Sequence, residues 1–442
     1  MQLAQQILFI ILSVVSIWLF YRKVKEIRRN INLGRDEKIN DNRSQRWKNV
    51  LLLAFGQKKM FRNPLVAVMH FFVYAGFIII NIEILEIILD GVTSQHRMFA
   101  PAIGKLYQLL IGCFEILAVL VLLGCAIFLI RRNIIKLNRF ISKDLDGWPR
   151  SDANYILITE IILMFLFLTM NTADQVLQSR GAEHYHITGN FWVTGSLTSL
   201  LDGASTSSLI FTERFCWWLH ILGVFAFMNY LPYSKHLHII LAFPNAYYAR
   251  LLPMGKMENM ESIQKEVLYA MQPELAPTGE AISPQKFGAK DIMDLSWKNL
   301  LDAYSCTECG RCSAACPATQ TGKLLSPRKI MMDTRDRAEA VGKNINKNKE
   351  FKDDGKTLLH DFISVEELRA CTTCNACVQE CPVSISPLDI ILQLRRHLVM
   401  EESNAPQEWT TMFSNVENNF APWKFSPDER DKWVEEVNTP IP

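Results

Sequence analysis

Hydrophobic positions are distributed unevenly along this chain, gathering into long runs in the first half and thinning to short helical and loop patterns in the second. Five apolar runs, at residues 3–21, 65–89, 106–130, 155–170 and 209–231, are each about as long as a helix that crosses a bilayer. The fourth is short and must borrow flanking residues such as 171–176. Basic residues orient the runs. The segment after the first run carries thirteen, from Arg22 to Arg62, and the segment after the third carries Arg131, Arg132, Lys136, Arg139, Lys143 and Arg150. Loops 90–105 and 172–208 carry few. Positive loops stay inside, so the N-terminus is expected outside and everything after the fifth run in the cytoplasm, which makes this a multi-pass protein of the cytoplasmic membrane. The first run is not a cleavable signal, because its leading end is uncharged and its basic flank follows it. Beyond it the pattern predicts a linker over 251–290 with a short helix at Glu261–Met271, a helix near 291–304, another over 327–340 and an exposed polar loop over 342–356. The expected fold class is all-α: a five-helix transmembrane bundle over 1–250, then a helical soluble domain over 291–400 and a connector over 401–442.

At 442 residues the chain is long enough for two or three domains, and its formal charge of +2 gives no reason to expect a nucleic-acid partner. Eight of its eleven cysteines fall into two copies of one spacing: Cys306, Cys309, Cys312 and Cys316 before Pro317, and Cys371, Cys374, Cys377 and Cys381 before Pro382. This C-x2-C-x2-C-x3-C-P run is how bacterial ferredoxins hold 4Fe-4S clusters, with the fourth cysteine crossing to the other cluster. Cluster A would take Cys306, Cys309, Cys312 and Cys381, and cluster B Cys371, Cys374, Cys377 and Cys316. Zinc sites favour paired CxxC knuckles and lack the repeated proline. Cys113, Cys125 and Cys216 lie in apolar stretches, where a thiol acts as a small hydrophobe, so disulfides are not implied.

Histidines inside a bilayer are functional candidates. His70 lies six residues after Pro64, about 9 Å into the second run; His220 lies midway along the fifth, and His238 follows 18 residues later, about 27 Å on if the helix runs straight past Pro232. Imidazoles on facing helices are the usual axial pair for a b-type haem, and depth alone leaves open whether His70 pairs with His238 or with His220.

The stretches RNPLVAVMHFFVYAGF and RFCWWLHILGVFAFMNYLPYSKHLHI resemble the cytochrome b of the respiratory nitrate reductase gamma subunit and of membrane-bound heterodisulfide reductase relatives. The cysteine-bearing stretches, DLSWKNLLDAYSCTECGRCSAACPATQTGKLLSPRKIM and ELRACTTCNACVQECPV, are similar to the iron-sulfur region of the same relatives, which include enzymes passing electrons from electron-transfer flavoprotein to menaquinone. The resemblance implies that His70 and His238 hold one haem b and that His220 is one ligand of a second, whose other ligand position is here Ile80. One bis-histidine haem, a second haem with one protein ligand, or a second haem completed by another residue all remain open.

Asn81, Glu83, Glu86 and Glu115 at the depth of His220, and Glu160 near the inner end of the fourth run, are either carriers of quinone-linked protons or a local polar cluster. Arg311, Lys323, Arg328 and Lys329 beside the first cysteine run are read as solvated surface charge ahead of the alternatives, tuning the potential of cluster A or docking an acidic partner. The tail, NVENNFAPWKFSPDERDKWVEE, resembles the connector that in fused relatives leads into cysteine-rich CCG domains. That implies a separate CCG-domain iron-sulfur protein as partner, with electron-transfer flavoprotein as a further candidate donor; Trp423 and Trp433 either anchor that partner or cap the helical domain. The expected function is electron transfer between that partner and menaquinone through two 4Fe-4S clusters and haem b. The alternatives are a component of a heterodisulfide or disulfide reductase with electrons flowing the other way, and an adaptor with no quinone site of its own.

Overall fold

The computed structural model describes residues 2–253, 255–257, 259–277, 286–424, 426–429 and 431–438. Residues 278–285 of the expected linker and 439–442 of the expected connector lie outside the described residues. Among the described residues five helices are long and apolar enough to cross a membrane: α1 (Gln2–Ile31), α2 (Pro64–Thr93), α3 (Leu106–Asn133), α4 (Trp148–Ser179) and α5 (Thr206–Tyr230). Asn63 starts α2 by accepting the Val66 N–H at 3.4 Å, with Pro64 in the first turn, where its missing N–H costs nothing. The apolar run at 155–170 is only the middle of α4. Its continuation carries Asn171, Asp174, Gln175 and Gln178, all buried against the rest of the bundle, so hydropathy alone understates the longest helix.

Helices α2 to α5 pack in chain order, and α1 lies across α2 and α5. Phe9 fixes α1 there, its ring 5.6 Å from Trp217, 6.1 Å from Trp218 and 6.1 Å from Phe225. Gly91 makes the room, since a Cβ at that position would fall 2.6 Å from the Phe9 ring. Leu3, Ile7, Val14 and Ile17 on α1 remain exposed, as suits a surface bathed in lipid.

After α5 the chain makes two 3-10 turns, Leu231–Tyr233 and Lys235–Leu237, before α6 (His238–Tyr247). The straight path considered from His220 to His238 is therefore broken. Pro232 cannot donate to a continuing ladder, and Ser234 is extended.

The cysteine-bearing body packs Leu300, Ile330, Ile390 and Leu394 of α7 (Trp297–Ser305), α8 (Pro327–Asn348) and α9 (Pro387–Met400) into one core. Among the described residues there is no strand, only two isolated bridges. Instead of one helix over 291–304, a single turn at Ile292–Asp294 precedes α7, because Ser296 and Asn299 form a capping box that starts a new helix. Helix α8 runs well past 340 and absorbs half of the loop expected over 342–356. The remainder is held by Arg337, fully buried, which pairs with Asp291 at 2.7 Å and Asp354 at 2.6 Å.

Both basic segments of the bundle meet this body. Lys23 pairs with Glu339 at 3.0 Å, Lys59 donates to the Cys381 carbonyl at 2.9 Å, and Arg328 pairs with Asp144 at 2.7 Å. The Arg35 N–H donates to the Leu295 carbonyl at 2.7 Å and the Trp297 N–H to the Arg35 carbonyl at 3.0 Å. Gly34 allows this approach, because a Cβ there would lie 2.6 Å from the Trp297 nitrogen.

Candidate functional site

The two cysteine loops are local copies of each other. In each, the first cysteine ends or follows a helix and is succeeded by two left-handed residues: Glu308 (φ 53°) and Gly310 (φ 72°) in one, Thr373 (φ 56°) and Asn375 (φ 61°) in the other. A short helix follows, Arg311–Ala315 or Ala376–Glu380, and these two helices pack together. The fourth cysteine is then extended, with ψ 121° at both Cys316 and Cys381. The turns aim backbone N–H groups at sulfur: Glu308 to Cys306 at 3.5 Å, Thr373 to Cys371 at 3.4 Å and Ile385 to Cys381 at 3.3 Å.

The sulfurs border two small cavities. Cys306, Cys309, Cys312 and Cys381 line one, and Cys316, Cys371, Cys374 and Cys377 line the other, with Cys377 also reaching the first. Each cavity thus joins three cysteines of one run to the fourth of the other. Among the described residues no three His, Cys, Asp or Glu side chains converge as they would on a single ion. Burial pushes the Cys306 and Cys377 thiols up to about 12 and Cys381 up to about 11, so metal loading must displace protons.

A third cavity, of about 450 Å³, lies where the bundle meets these loops. His70, His236 and His238 line it from the bundle side, and Thr307, Glu308 and Cys309 close it from the cysteine side. The Nδ1 of His238 bonds the Lys235 carbonyl at 3.0 Å, and that of His70 the Gln57 amide oxygen at 3.0 Å. With Nδ1–H donating, Nε2 is left as the free lone pair, the form that ligates metals. Burial, with His238 nearby, holds the His236 imidazole down to about 3, and burial lowers His238 as well. His236 is the residue that reading the sequence passed over. Its ring lies 5.5 Å from that of His238 at 88° and packs near Phe77 and Phe227. The signal was present in SKHLH, but the 3-10 turn that brings both rings to one cavity was not.

His220 stands apart. It is buried between α5 and α4, with Nδ1 on the Leu163 carbonyl at 3.0 Å and Phe167 beside the ring at 6.3 Å. It does not line the cavity, and Ile80, the position of the missing partner, is packed in the bundle core.

Lys235 connects the histidine turn to the first cysteine loop. Its ammonium donates to Glu308 at 2.6 Å and to the Pro149 carbonyl at 2.5 Å, while Arg335 reaches Glu308 at 2.8 Å. Burial works against ionised Glu308, but these two cations overcome it and hold its carboxyl below the usual range. Arg328, read from sequence as surface charge, is 1% exposed: it grips Asp144 and donates to the Arg139 carbonyl at 2.7 Å. Arg311 donates to the Lys59 carbonyl at 3.2 Å, Lys329 pairs with Asp333 at 2.6 Å, and Lys323 alone of the four is exposed.

The membrane carboxylates at the far end mostly fasten loops. Glu86 accepts from the Phe99 N–H at 2.8 Å and the Tyr107 hydroxyl at 2.9 Å; Asp90 accepts from the Arg97 and Met98 N–H groups; Glu115 accepts from the Val193 N–H at 2.8 Å and from the Thr194 hydroxyl. Arg97, buried and bonded to Asp174 and Asn171, is the hub that the sequence did not reveal. Glu83 has no hydrogen bond and faces Arg97 at 3.7 Å, Asn81 bonds the Phe77 carbonyl, and Glu160 lines the histidine cavity. In the tail, Trp423 and Trp433 are exposed rather than folded onto the domain.

Residues 305–385 match the 4Fe-4S dicluster domain family. The chain is 27% identical, over 98% of its length, to a probable iron-sulfur-binding oxidoreductase, FadF, of Bacillus subtilis, and 27% identical over 90% to an EtfAB:quinone oxidoreductase of Syntrophomonas wolfei. It spans 61% and 55% of the lengths of those two proteins. It is also 32% identical, over 35% of its length and 25% of the relative's, to a probable membrane-anchored ferredoxin of Chromohalobacter salexigens. No solved structure matches it. The relatives are thus iron-sulfur electron-transfer proteins, oxidoreductases among them, and this chain carries a dicluster domain after five apolar helices.

Proposed function

We propose that this chain carries electrons between a soluble donor complex and the menaquinone pool, through two 4Fe-4S clusters and one haem b. The carrying observation is that a single cavity is walled by His70 and His238 on one side and by the loop bearing Cys309 on the other. The donor sets suit the groups. The four thiols of each 3+1 set would hold a four-iron cluster, one thiolate to each iron, and the two imidazoles with Nδ1 engaged would offer Nε2 to a haem iron. Arg131, Arg132 and Arg139 on the same cavity wall suit the two carboxylates that haem carries. When bound, these groups accept and release single electrons. The chain's own residues hold them, tune them through N–H···S bonds, and fix the spacing through the Lys235–Glu308–Arg335 network. Cysteines 306, 309, 312 and 381 are assigned to cluster A, and 371, 374, 377 and 316 to cluster B.

The basic loops and the cysteine body share one side of the bundle, and that charge asymmetry supports a cytoplasmic position for this side with the N-terminus outside. A CCG-type iron-sulfur protein, with electron-transfer flavoprotein behind it, is the proposed donor, meeting the exposed Trp423 and Trp433. The relative named for EtfAB and quinone supports this direction of flow. The test uses liposomes containing the protein, reduced viologen as donor and menaquinone-4 as acceptor. Viologen oxidation should produce menaquinol, and His238→Ala should stop it while the clusters still become reduced. Fully loaded protein that leaves menaquinone-4 oxidised would refute the reading.

A further inference from the structure

A second large cavity, a groove of about 810 Å³, lies on the opposite face of α6 from the histidine cavity. Leu237, Ile240, Leu241, Pro244 and Tyr248 form a stripe at helical spacing that lines the groove, whereas His236, His238, Ile239, Ala242 and Phe243 turn to the histidine cavity. One helix, about 10 Å across, therefore separates the two. The facing wall is a second stripe, Phe20, Val24, Ile27 and Ile31 of α1, and the floor is Trp297 and Leu301 of α7, the helix that ends at Cys306.

The groove is graded along its length. Phe20 stands at one end, beside the exposed apolar surface of α1 at Leu19; Arg28 comes part-way along the α1 wall, and beyond Ile31 the lining is Asn32, Asp36 and Glu37, with Ile39. Such a gradient suits an amphiphile whose tail lies in the bilayer and whose head rests among polar groups. At the far end of the bundle, by contrast, Glu86, Asp90 and Glu115 are occupied in fastening loops.

We propose that this groove is the quinone site, taking the ring of a menaquinone-type naphthoquinone between α1 and α6, with the isoprenoid tail leaving past Phe20. This rests on the proposed function. Among bilayer amphiphiles only a quinone makes use of a position one helix away from an electron-carrying centre. Reduction converts both quinone oxygens to hydroxyls, taking two electrons from the reduced donor of the proposed reaction and two protons from solvent, to which Asp36 is open.

The test is photolabelling of the intact protein in liposomes with an azido-menaquinone analogue, after its haem spectrum and cluster signals have been recorded. Label is expected on peptides covering 20–39 and 237–248, and is competed away by menaquinone-4. Leu241→Trp and, from the other wall, Ile27→Trp should each lower labelling and raise the KM for quinone about tenfold or more, with the haem and cluster spectra unchanged. Turnover intact but label around Tyr107 and Glu83, or a groove whose contents menaquinone-4 does not displace from bound phospholipid, would overturn the groove alone. Loaded protein with no electron transfer to menaquinone-4 would overturn both the groove and the function it rests on.

Discussion

At His238 the preceding turn decides which nitrogen is available. The Lys235 carbonyl takes Nδ1–H, which leaves the Nε2 lone pair unengaged on a ring that lines the same cavity as His70. His70→Ala and His238→Ala should each abolish low-spin b-type absorption in the reduced spectrum while cluster iron is retained. His220→Ala should leave the haem band in place, because its Nδ1 bond to Leu163 serves the packing of α4 on α5. The exchanged ligands give a second expectation. Cys381→Ser, although in the second run, should perturb the paramagnetic signal of the cluster held by Cys306, Cys309 and Cys312, and Cys316→Ser that of the other; the reverse pattern would rule out the crossing. Spacing alone made these cysteines legible, since a repeated C-x2-C-x2-C-x3-C-P has few other uses. His70 and His238 stood out as histidines in or beside the bilayer, the resemblance proposed their pairing, and the fold brings both to one cavity. Arg328 was misread because an arginine beside a cluster loop looks like surface charge, and its partner Asp144 is 184 residues away.

Among the elements, the loop between α3 and α4 does more than connect. Asp144, Ser142 and the Arg139 carbonyl all receive Arg328, locking this loop to the start of α8. Breaking a buried pair strands the remaining charge, which costs about 3–5 kcal/mol. Arg328→Met should therefore lower the thermal unfolding midpoint markedly, and adding Asp144→Leu should recover much of the loss. A midpoint unchanged by Arg328→Met would mean that the loop carries no docking energy. Apolar periodicity made the existence of the long helices legible, but not all of their ends. Helix α4 extends through buried amides and carboxylates that hydropathy counts as polar, and α7 starts late because a capping box at Ser296 overrides the preceding helical pattern.

Across the whole molecule, the bundle and the cysteine body form one unit because the segment after α1 runs against α7. A side chain at Gly34 would meet backbone rather than a side chain able to yield, so Gly34→Val should loosen the two bodies. Faster proteolytic cleavage in the segment joining α1 to α2, with haem retained, is the expected sign. No local pattern encodes which faces meet, which is why the sequence pointed to two candidate cofactor regions but not to the single cavity that both line. That shared cavity is the central claim. Metal and haem quantitation on anaerobically purified protein tests it most directly, with optical spectra of the wild type, His70→Ala and His238→Ala. The account predicts about eight cluster irons and about one bis-histidine haem per chain, the haem alone being lost in both variants. Zinc in place of iron, or a haem that survives both substitutions, would contradict it.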